Sequence, residues 1–146
     1  PYANHNCLTD SAWFFPVLSS VSQTANLNFV FKYVGQEQHA GTNTQHIQLY
    51  QPSTQSLRQL QHLTTTDFYL DSTSYLPVAV AFSTHPDDDL NTDIAIEIRF
   101  DGYQSVSGIQ MPFHFQRVLN DGVVLDFTVT NAVFNTGLPD SLFSLQ

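Results

Sequence analysis

From Leu27 onward, apolar and polar residues alternate in one stretch of the sequence after another. The first stretch places Leu27, Phe29, Phe31 and Tyr33 in one phase and polar or smaller residues in the other. Side chains two positions apart project from the same face of a β-strand, so this period favours strands over helices. The sequence therefore predicts an antiparallel sheet with one apolar face.

Turn residues divide this part of the chain into seven predicted strands. Gly35 and then Ala40-Gly41 mark the turn of the first hairpin, and Asn120-Asp121-Gly122 is typical of a tight hairpin turn. In the last strand the inward residues are Val123, Leu125, Phe127, Val129 and Val133. The predicted strands are 27–34, 46–51, 68–70, 76–82, 94–100, 111–116 and 123–133.

Two short helical segments complete the predicted fold. The first lies around residues 11–15 and is interrupted at Pro16, because proline inside a helix removes a hydrogen bond. The second covers 55–62, where Leu57, Leu60 and Leu63 recur at helical spacing. A chain of 146 residues fits one core. We predict an α+β fold with a single domain, 1–146, in which a helical or irregular segment (1–26) precedes a curved antiparallel sheet (27–146).

The apolar phase of the strands is rich in aromatic residues, and these are the candidate ligand-binding residues. Such a face is either a concave binding surface or a core filled by its own side chains, and the sequence leaves both open. Tyr33, Tyr103 and His114 are candidate polar groups at its rim. The aromatic residues that define the face are Phe29, Phe31, Tyr33, Phe82, Phe100, Phe113, Phe115 and Phe127.

Charge excludes two classes of partner. The net charge is −9, with four Lys and Arg against thirteen Asp and Glu. Phosphate backbones and anionic lipid headgroups are bound through clusters of basic residues, so nucleic acid and anionic membrane surfaces are not expected partners. The low charge and the abundance of Asn, Gln, Ser and Thr favour an exported protein, periplasmic or extracellular. No apolar run reaches the roughly 18 residues that span a membrane.

Catalytic motifs are absent from the sequence. There is no Gly-x-Ser-x-Gly turn, and the single cysteine, Cys7, offers neither a disulfide nor a multi-cysteine zinc site. The histidines show no metal-binding spacing along the chain, although a three-histidine site assembled in space stays open. We predict no enzyme, no cofactor and no metal site built from a sequence motif. The histidines are His5, His39, His46, His62, His85 and His114.

An acidic loop at residues 87–93 has the alternating oxygen ligands of a calcium loop. Thr92 stands where an EF-hand requires glycine, and Ile98 where it requires a bidentate glutamate. An EF-hand is therefore excluded, and the loop is either a solvated hairpin tip or a weak cation site.

The C-terminal half contains a leucine-proline strand, a strand ending in a tyrosine turn, a Gly-x-x-x-Pro strand and a distinctive terminal segment. These are Asp67-Phe68-Tyr69-Leu70-Asp71 with Tyr75-Leu76-Pro77-Val78, Glu97-Ile98-Arg99-Phe100-Asp101-Gly102-Tyr103, Gly108-Ile109-Gln110-Met111-Pro112-Phe113, and Phe134 to Phe143. In this order they resemble uncharacterised exported bacterial proteins related to outer-membrane lipoprotein carriers, the LolA/LolB-like superfamily. The resemblance covers roughly residues 65–143 and lies in residues that begin and end strands rather than in catalytic residues.

The resemblance implies a strongly curved, incomplete antiparallel barrel whose concave aromatic surface holds acyl chains. Two hypotheses follow. In the first, the chain is a non-enzymatic extracytoplasmic domain that binds a lipid or another apolar ligand on the aromatic face. In the second, that face is a filled core and the chain is a structural or interaction subunit that self-associates or binds a protein partner through strand edges or residues 1–20.

Overall fold

The computed structural model describes residues 29–52, 61–137 and 139–143. Within them the regular secondary structure is almost entirely β-strand, and a short 3-10 turn, Asp140–Phe143, follows near the end. The predicted helix at 11–15 and residues 53–60 of the second predicted helix lie outside the described residues. Residues 61–64 form a 3-10 turn. The strands are β1 (Val30–His39), β2 (Thr42–Tyr50), β3 (Thr66–Asp71), β4 (Pro77–Thr84), β5 (Ile94–Asp101), β6 (Gln104–Val106), β7 (Ile109–Met111), β8 (His114–Leu119) and β9 (Gly122–Thr128).

Seven strands form one antiparallel sheet in the order β1-β2-β3-β4-β5-β8-β9, and β6 and β7 form a separate two-stranded ribbon. Each strand of the main sheet pairs with the strand that follows it, except that the ribbon is inserted between β5 and β8. Within the described residues β1 and β9 pair with one strand each, so the sheet is open rather than a closed barrel. The predicted antiparallel sheet of seven strands is confirmed.

Three hairpin turns have a positive φ at both central residues. These pairs are Ala40-Gly41, Ser107-Gly108 and Asn120-Asp121. Two successive positive φ angles define the type I′ turn, whose twist matches that of the flanking strands. The last turn sits one residue earlier than the Asp-Gly pair predicted from sequence, because Gly122 already belongs to β9.

Two β-bulges make the strands differ from those predicted: one extends β1, and the other changes which side chains of β9 face inward. β1 continues through Gly35, where the pairing with β2 shifts between Tyr33 and Gly35, so this glycine lies in a bulge and not in a turn. In β9 the extra residue is Val124, since Val118 pairs with Val123 while Arg117 pairs with Leu125. A shift of one residue moves a side chain to the other face. The inward prediction for Val123 is therefore wrong.

The end of the predicted last strand is also wrong. β9 stops at Thr128, and Val133, predicted to face inward, is 65% exposed. Residues 129–137 follow β9 without regular secondary structure. The alternation of apolar residues continued past the point where the chain leaves the sheet.

The core lies on one side of the sheet, here called the aromatic face. Directly paired residues in antiparallel strands share a face, and the pairing of Ile47 with Phe68, Phe68 with Val80, and Val80 with Ile98 carries one apolar row across four strands. The buried residues of this core are Leu49, Phe68, Val80, Phe82, Ile96, Ile98, Phe100 and Phe115.

Candidate functional site

The predicted aromatic residues divide into three groups by burial. Phe82, Phe100, Phe113 and Phe115 are buried. Phe29 and Phe127 are partly buried and pack against the core. Phe31 and Tyr33, both on the edge strand β1, are 47% and 60% exposed. The centre of the aromatic face is therefore enclosed, and its β1 margin is accessible.

Three aromatic rings in direct contact form the centre of the aromatic face. Phe115 stacks on Phe127 with ring centroids 4.9 Å apart, and Phe100 meets Phe115 edge-on at 5.6 Å. Such pairs contribute about 0.5–1.5 kcal/mol beyond the burial of their area. The three rings come from β5, β8 and β9, so they tie the last strands of the sheet together.

The three candidate rim groups have separate surroundings. The hydroxyl of Tyr33 donates to Gln45 Oε1 at 2.7 Å. The hydroxyl of Tyr103 donates to the Pro77 carbonyl oxygen at 2.6 Å, and burial raises its pKa above the usual value. His114 lies on the opposite face of the sheet, because its strand phase is that of Gln116 and not that of Phe115.

The opposite side of the sheet, here called the polar face, gathers histidines and carboxylates that sequence reasoning did not connect. His46 Nε2 lies 2.7 Å from Asp67 Oδ1, and its Nδ1 lies 3.1 Å from Glu37 Oε1. His39 Nε2 lies 3.1 Å from Glu97 Oε2, and the Arg99 guanidinium pairs with the same glutamate. The two glutamates of the chain, Glu37 and Glu97, both contact histidines on the polar face.

The contact between His39 and Glu97 shows how the sheet bends. These residues belong to β1 and β5, with β2, β3 and β4 between them. Neighbouring strands lie roughly 4.8 Å apart, so a flat sheet would separate β1 and β5 by about 19 Å. The sheet must curl toward the polar face at this end. The inside of the curve here carries histidine and carboxylate groups, not the aromatic surface that the resemblance implied.

Tyr69 lies between the two histidines. Its ring stacks on His39, with centroids 3.6 Å apart, and on His46, with centroids 4.6 Å apart. Burial, together with the negative charges of Asp67, Glu37 and Glu97, raises the pKa of its hydroxyl to about 12. The hydroxyl therefore stays protonated at neutral pH.

His114 forms a second group on the polar face near the sheet edge. Its Nδ1 lies 2.9 Å from Asp101 Oδ2 and its Nε2 lies 2.8 Å from Asp126 Oδ1. Hydrogen bonds to Asp101 and Asp126 raise the pKa of the imidazole, and the bonds from Gln116 and His114 lower the pKa of Asp126. Both ring nitrogens face acceptors, so the doubly protonated ring is favoured.

His46 and His114 were predicted to lie on the polar phase, as they do, but the His46 side chain is only 12% exposed.

Two pockets are associated with the curve. One, of about 360 Å³, lies where Ala40 and Thr42 of the first hairpin approach Arg99, Tyr103 and Gln116. The other, of about 340 Å³, has Ala81, Ser83 and Ala95 among its lining residues, together with carboxylates of Asp67 and Glu97. Small side chains on β4 and β5 leave this space open.

The acidic loop is organised differently from a calcium loop. Asp89 accepts from the backbone NH of Asn91 at 2.9 Å and from the hydroxyl of Thr92 at 2.5 Å, so it closes the loop internally. Asp93 turns toward His85 instead, with Oδ1 2.7 Å from Nε2. The oxygen groups at alternating positions thus serve separate local contacts.

No family model and no curated protein matches the chain. Among solved structures, the fold is similar to a domain described as an outer membrane lipoprotein-sorting protein from Vibrio parahaemolyticus, with a TM-score of 0.54 and 18% identity over 80% of this chain and 46% of that one. It is also similar to a DUF1329 family protein from Desulfovibrio piger, with a TM-score of 0.56 and 13% identity over 80% of this chain and 45% of that one. This chain spans less than half the length of either. The predicted resemblance to lipoprotein carriers is confirmed as a likeness of fold.

In the part of the chain that the structure describes, no helix is long and apolar enough to cross a bilayer.

Proposed function

We propose that the chain is an exported, non-enzymatic domain that binds an apolar ligand, such as an acyl chain, at the β1 margin of the aromatic face. The observation that carries this proposal is the exposure of Phe31 and Tyr33 on the same side of the sheet as the buried core. The likeness of fold to a lipoprotein-sorting domain supports both the ligand class and the location outside the cytoplasm.

The margin is continuous with the core. Phe31 pairs with Leu49 and Tyr33 with Ile47, so both rings stand beside residues that belong to the core or pack against it. An acyl chain laid along β1 would extend the core outward by covering these rings. Each methylene removed from water contributes about 0.8 kcal/mol. The hydroxyl of Tyr33, held by Gln45, would mark the polar end of such a site.

The test combines extraction with a matched substitution series. Native mass spectrometry after mild extraction should show a bound lipid, and an environment-sensitive apolar dye should bind to the delipidated protein. Phe31→Ser and Tyr33→Ser should each weaken dye binding on the order of tenfold, because each removes roughly 1–2 kcal/mol of apolar contact. Val123→Ser is the control, since Val123 is equally exposed but lies on the other face at the far edge.

Two results would contradict the proposal. One is the absence of both bound lipid and dye binding. The other is dye binding that Phe31→Ser and Tyr33→Ser leave unchanged, or that Val123→Ser weakens equally.

A second candidate function, assembly with another protein or a second copy, is favoured by β9. This edge strand exposes Val123, Val124 and Leu125 in succession, and an exposed apolar edge is a template for pairing with another strand. Light scattering after size-exclusion chromatography distinguishes the two readings. A strict monomer at high concentration would contradict self-association, and a dimer abolished by Val124→Lys would support it.

A further inference from the structure

A 3-10 turn and the two ends of one loop bring two histidines and an aspartate together at one end of the sheet. His62 lies in the 3-10 turn that leads into β3, His85 directly follows β4, and Asp93 directly precedes β5. Thr84 pairs with Ile94, so the loop between them returns Asp93 to His85. The bonds that Asp89 makes to Asn91 and Thr92 close this loop.

The distances within the cluster are close to those of a metal site. His85 Nε2 lies 2.7 Å and His62 Nε2 lies 3.7 Å from the same oxygen, Asp93 Oδ1. One ligand atom from each of the three residues lies within 4.8 Å of the others. In a tetrahedral zinc site with ligand bonds of about 2.0–2.1 Å, neighbouring ligand atoms are roughly 3.3 Å apart. To seat an ion between the three groups, the two distances to Asp93 Oδ1 would change by about 0.4–0.6 Å and the third separation by at most about 1.5 Å.

We propose that His62, His85 and Asp93 form a Zn²⁺ site. Two imidazole nitrogens and one carboxylate oxygen suit zinc, whereas calcium and magnesium prefer oxygen ligands alone. His85 is the fixed ligand, because its side chain is only 1% exposed. His62 Nε2 lies 2.9 Å from the Leu90 carbonyl oxygen and exchanges that partner for the ion.

The surroundings favour a cation with one open coordination position. His62 and Asp93 both line the pocket of about 340 Å³ described above, and the carboxylates of Asp67, Glu97 and Asp121 line it as well. Clustered negative charge in a cleft raises the local concentration of cations. Three protein ligands leave a fourth coordination position, which water would fill.

The test is calorimetric titration of the 146-residue chain with ZnCl₂ in a buffer that does not chelate zinc. We expect one saturable site per chain. His62→Ala and Asp93→Asn should each weaken zinc binding at least about tenfold, as expected for the loss of a ligand. His62 and Asp93 are partly exposed, so these variants should keep the fold, which circular dichroism checks; they carry the test if His85→Ala does not fold.

Two controls separate this site from others in the chain. His114→Ala removes a histidine that also pairs with carboxylates but lies elsewhere, and a combined His5→Ala and Cys7→Ser variant removes the N-terminal donors; both should bind zinc as the unmodified chain does. The proposal fails if the chain shows no saturable zinc binding, if His62→Ala and Asp93→Asn bind normally, or if binding is lost in either control. Weak zinc binding that both His62→Ala and Asp93→Asn abolish would still support it.

Discussion

His39 Nε2 lies 3.1 Å from Glu97 Oε2, although three strands separate the strands that carry them. The contact holds the tip of the first hairpin over the polar face. The ring of Tyr69 on β3 stacks on the His39 imidazole and so packs against this contact. A curved open sheet is thus fastened by side chains across its concavity, in addition to the hydrogen bonds between neighbouring strands.

Glu97→Gln should loosen this hairpin tip without unfolding the sheet. The substitution keeps the shape of the side chain and removes the carboxylate that pairs with Arg99 and lies against His39. Amide hydrogen exchange around Gln38 to Thr42 should accelerate about three- to tenfold, because losing a partly buried polar contact of this kind costs the closed form roughly 1 kcal/mol. Glu37→Gln is the control, since Glu37 is more exposed and contacts His46 instead. Equal acceleration in both variants would argue against a special role for Glu97.

Tyr69 should make the protein sensitive to alkali. Its pKa is raised to about 12 in the folded chain and returns to 10.0 on unfolding. The folded state therefore keeps a proton that the unfolded state loses, and the stability that depends on it decreases as the pH rises from 10 to 12. Tyr69→Phe should reduce the slope of unfolding free energy against pH in that window, measured by urea denaturation. Tyr75→Phe, at an exposed position, should leave the slope unchanged.

His114 should stabilise the fold at mildly acidic pH. Its pKa is raised above 6.5 by Asp101 and Asp126, so its contribution is complete below 6.5 and is lost as the pH rises through the folded-state pKa. Asp126, whose pKa is lowered below 3.8, loses its contribution only in stronger acid. His114→Gln should therefore reduce stability most near pH 5 to 6 and least above pH 8. A difference that is constant over this range would contradict the assignment, and NMR titration of the imidazole checks it directly.

Truncation of Phe115 should destabilise the fold strongly. Phe115 is 1% exposed and contacts both Phe100 and Phe127. Phe115→Ala should reduce the free energy of unfolding by about 3–5 kcal/mol, through lost burial and the cavity that remains. Phe31→Ala, at the exposed margin, should cost much less in the same denaturation experiment. A similar cost at both positions would mean that the β1 margin is covered.

Strand phase could be predicted from sequence because burial on one face imposes a period of two. Phe82, Phe100 and Phe115 all lie on the predicted side. The cluster on the polar face could not be found in the same way. From sequence alone Gly35 indicates a turn, which would place Glu37 and His39 outside the sheet, whereas in the structure a β-bulge lets the strand continue through it.

The His62, His85 and Asp93 cluster had no signal in sequence spacing. Its members come from a turn and from the two ends of a loop, and only strand pairing brings them together. The spacing within the acidic loop indicates oxygen ligands at alternating positions, but in the structure Asp93 faces two histidines. Distances between segments depend on register and curvature, and residue spacing within one segment carries no information on either.

The order of the strands bears on how the protein folds. Because nearly every pairing joins consecutive strands, the entropy lost in closing each loop is small for an all-β sheet. Hairpins with type I′ turns, such as β1–β2 and β8–β9, are suited to form first and to recruit β3 and β5 by successive pairing. The His39 to Glu97 contact closes a loop of nearly sixty residues, so it should form only after the transition state and should slow unfolding more than it speeds folding.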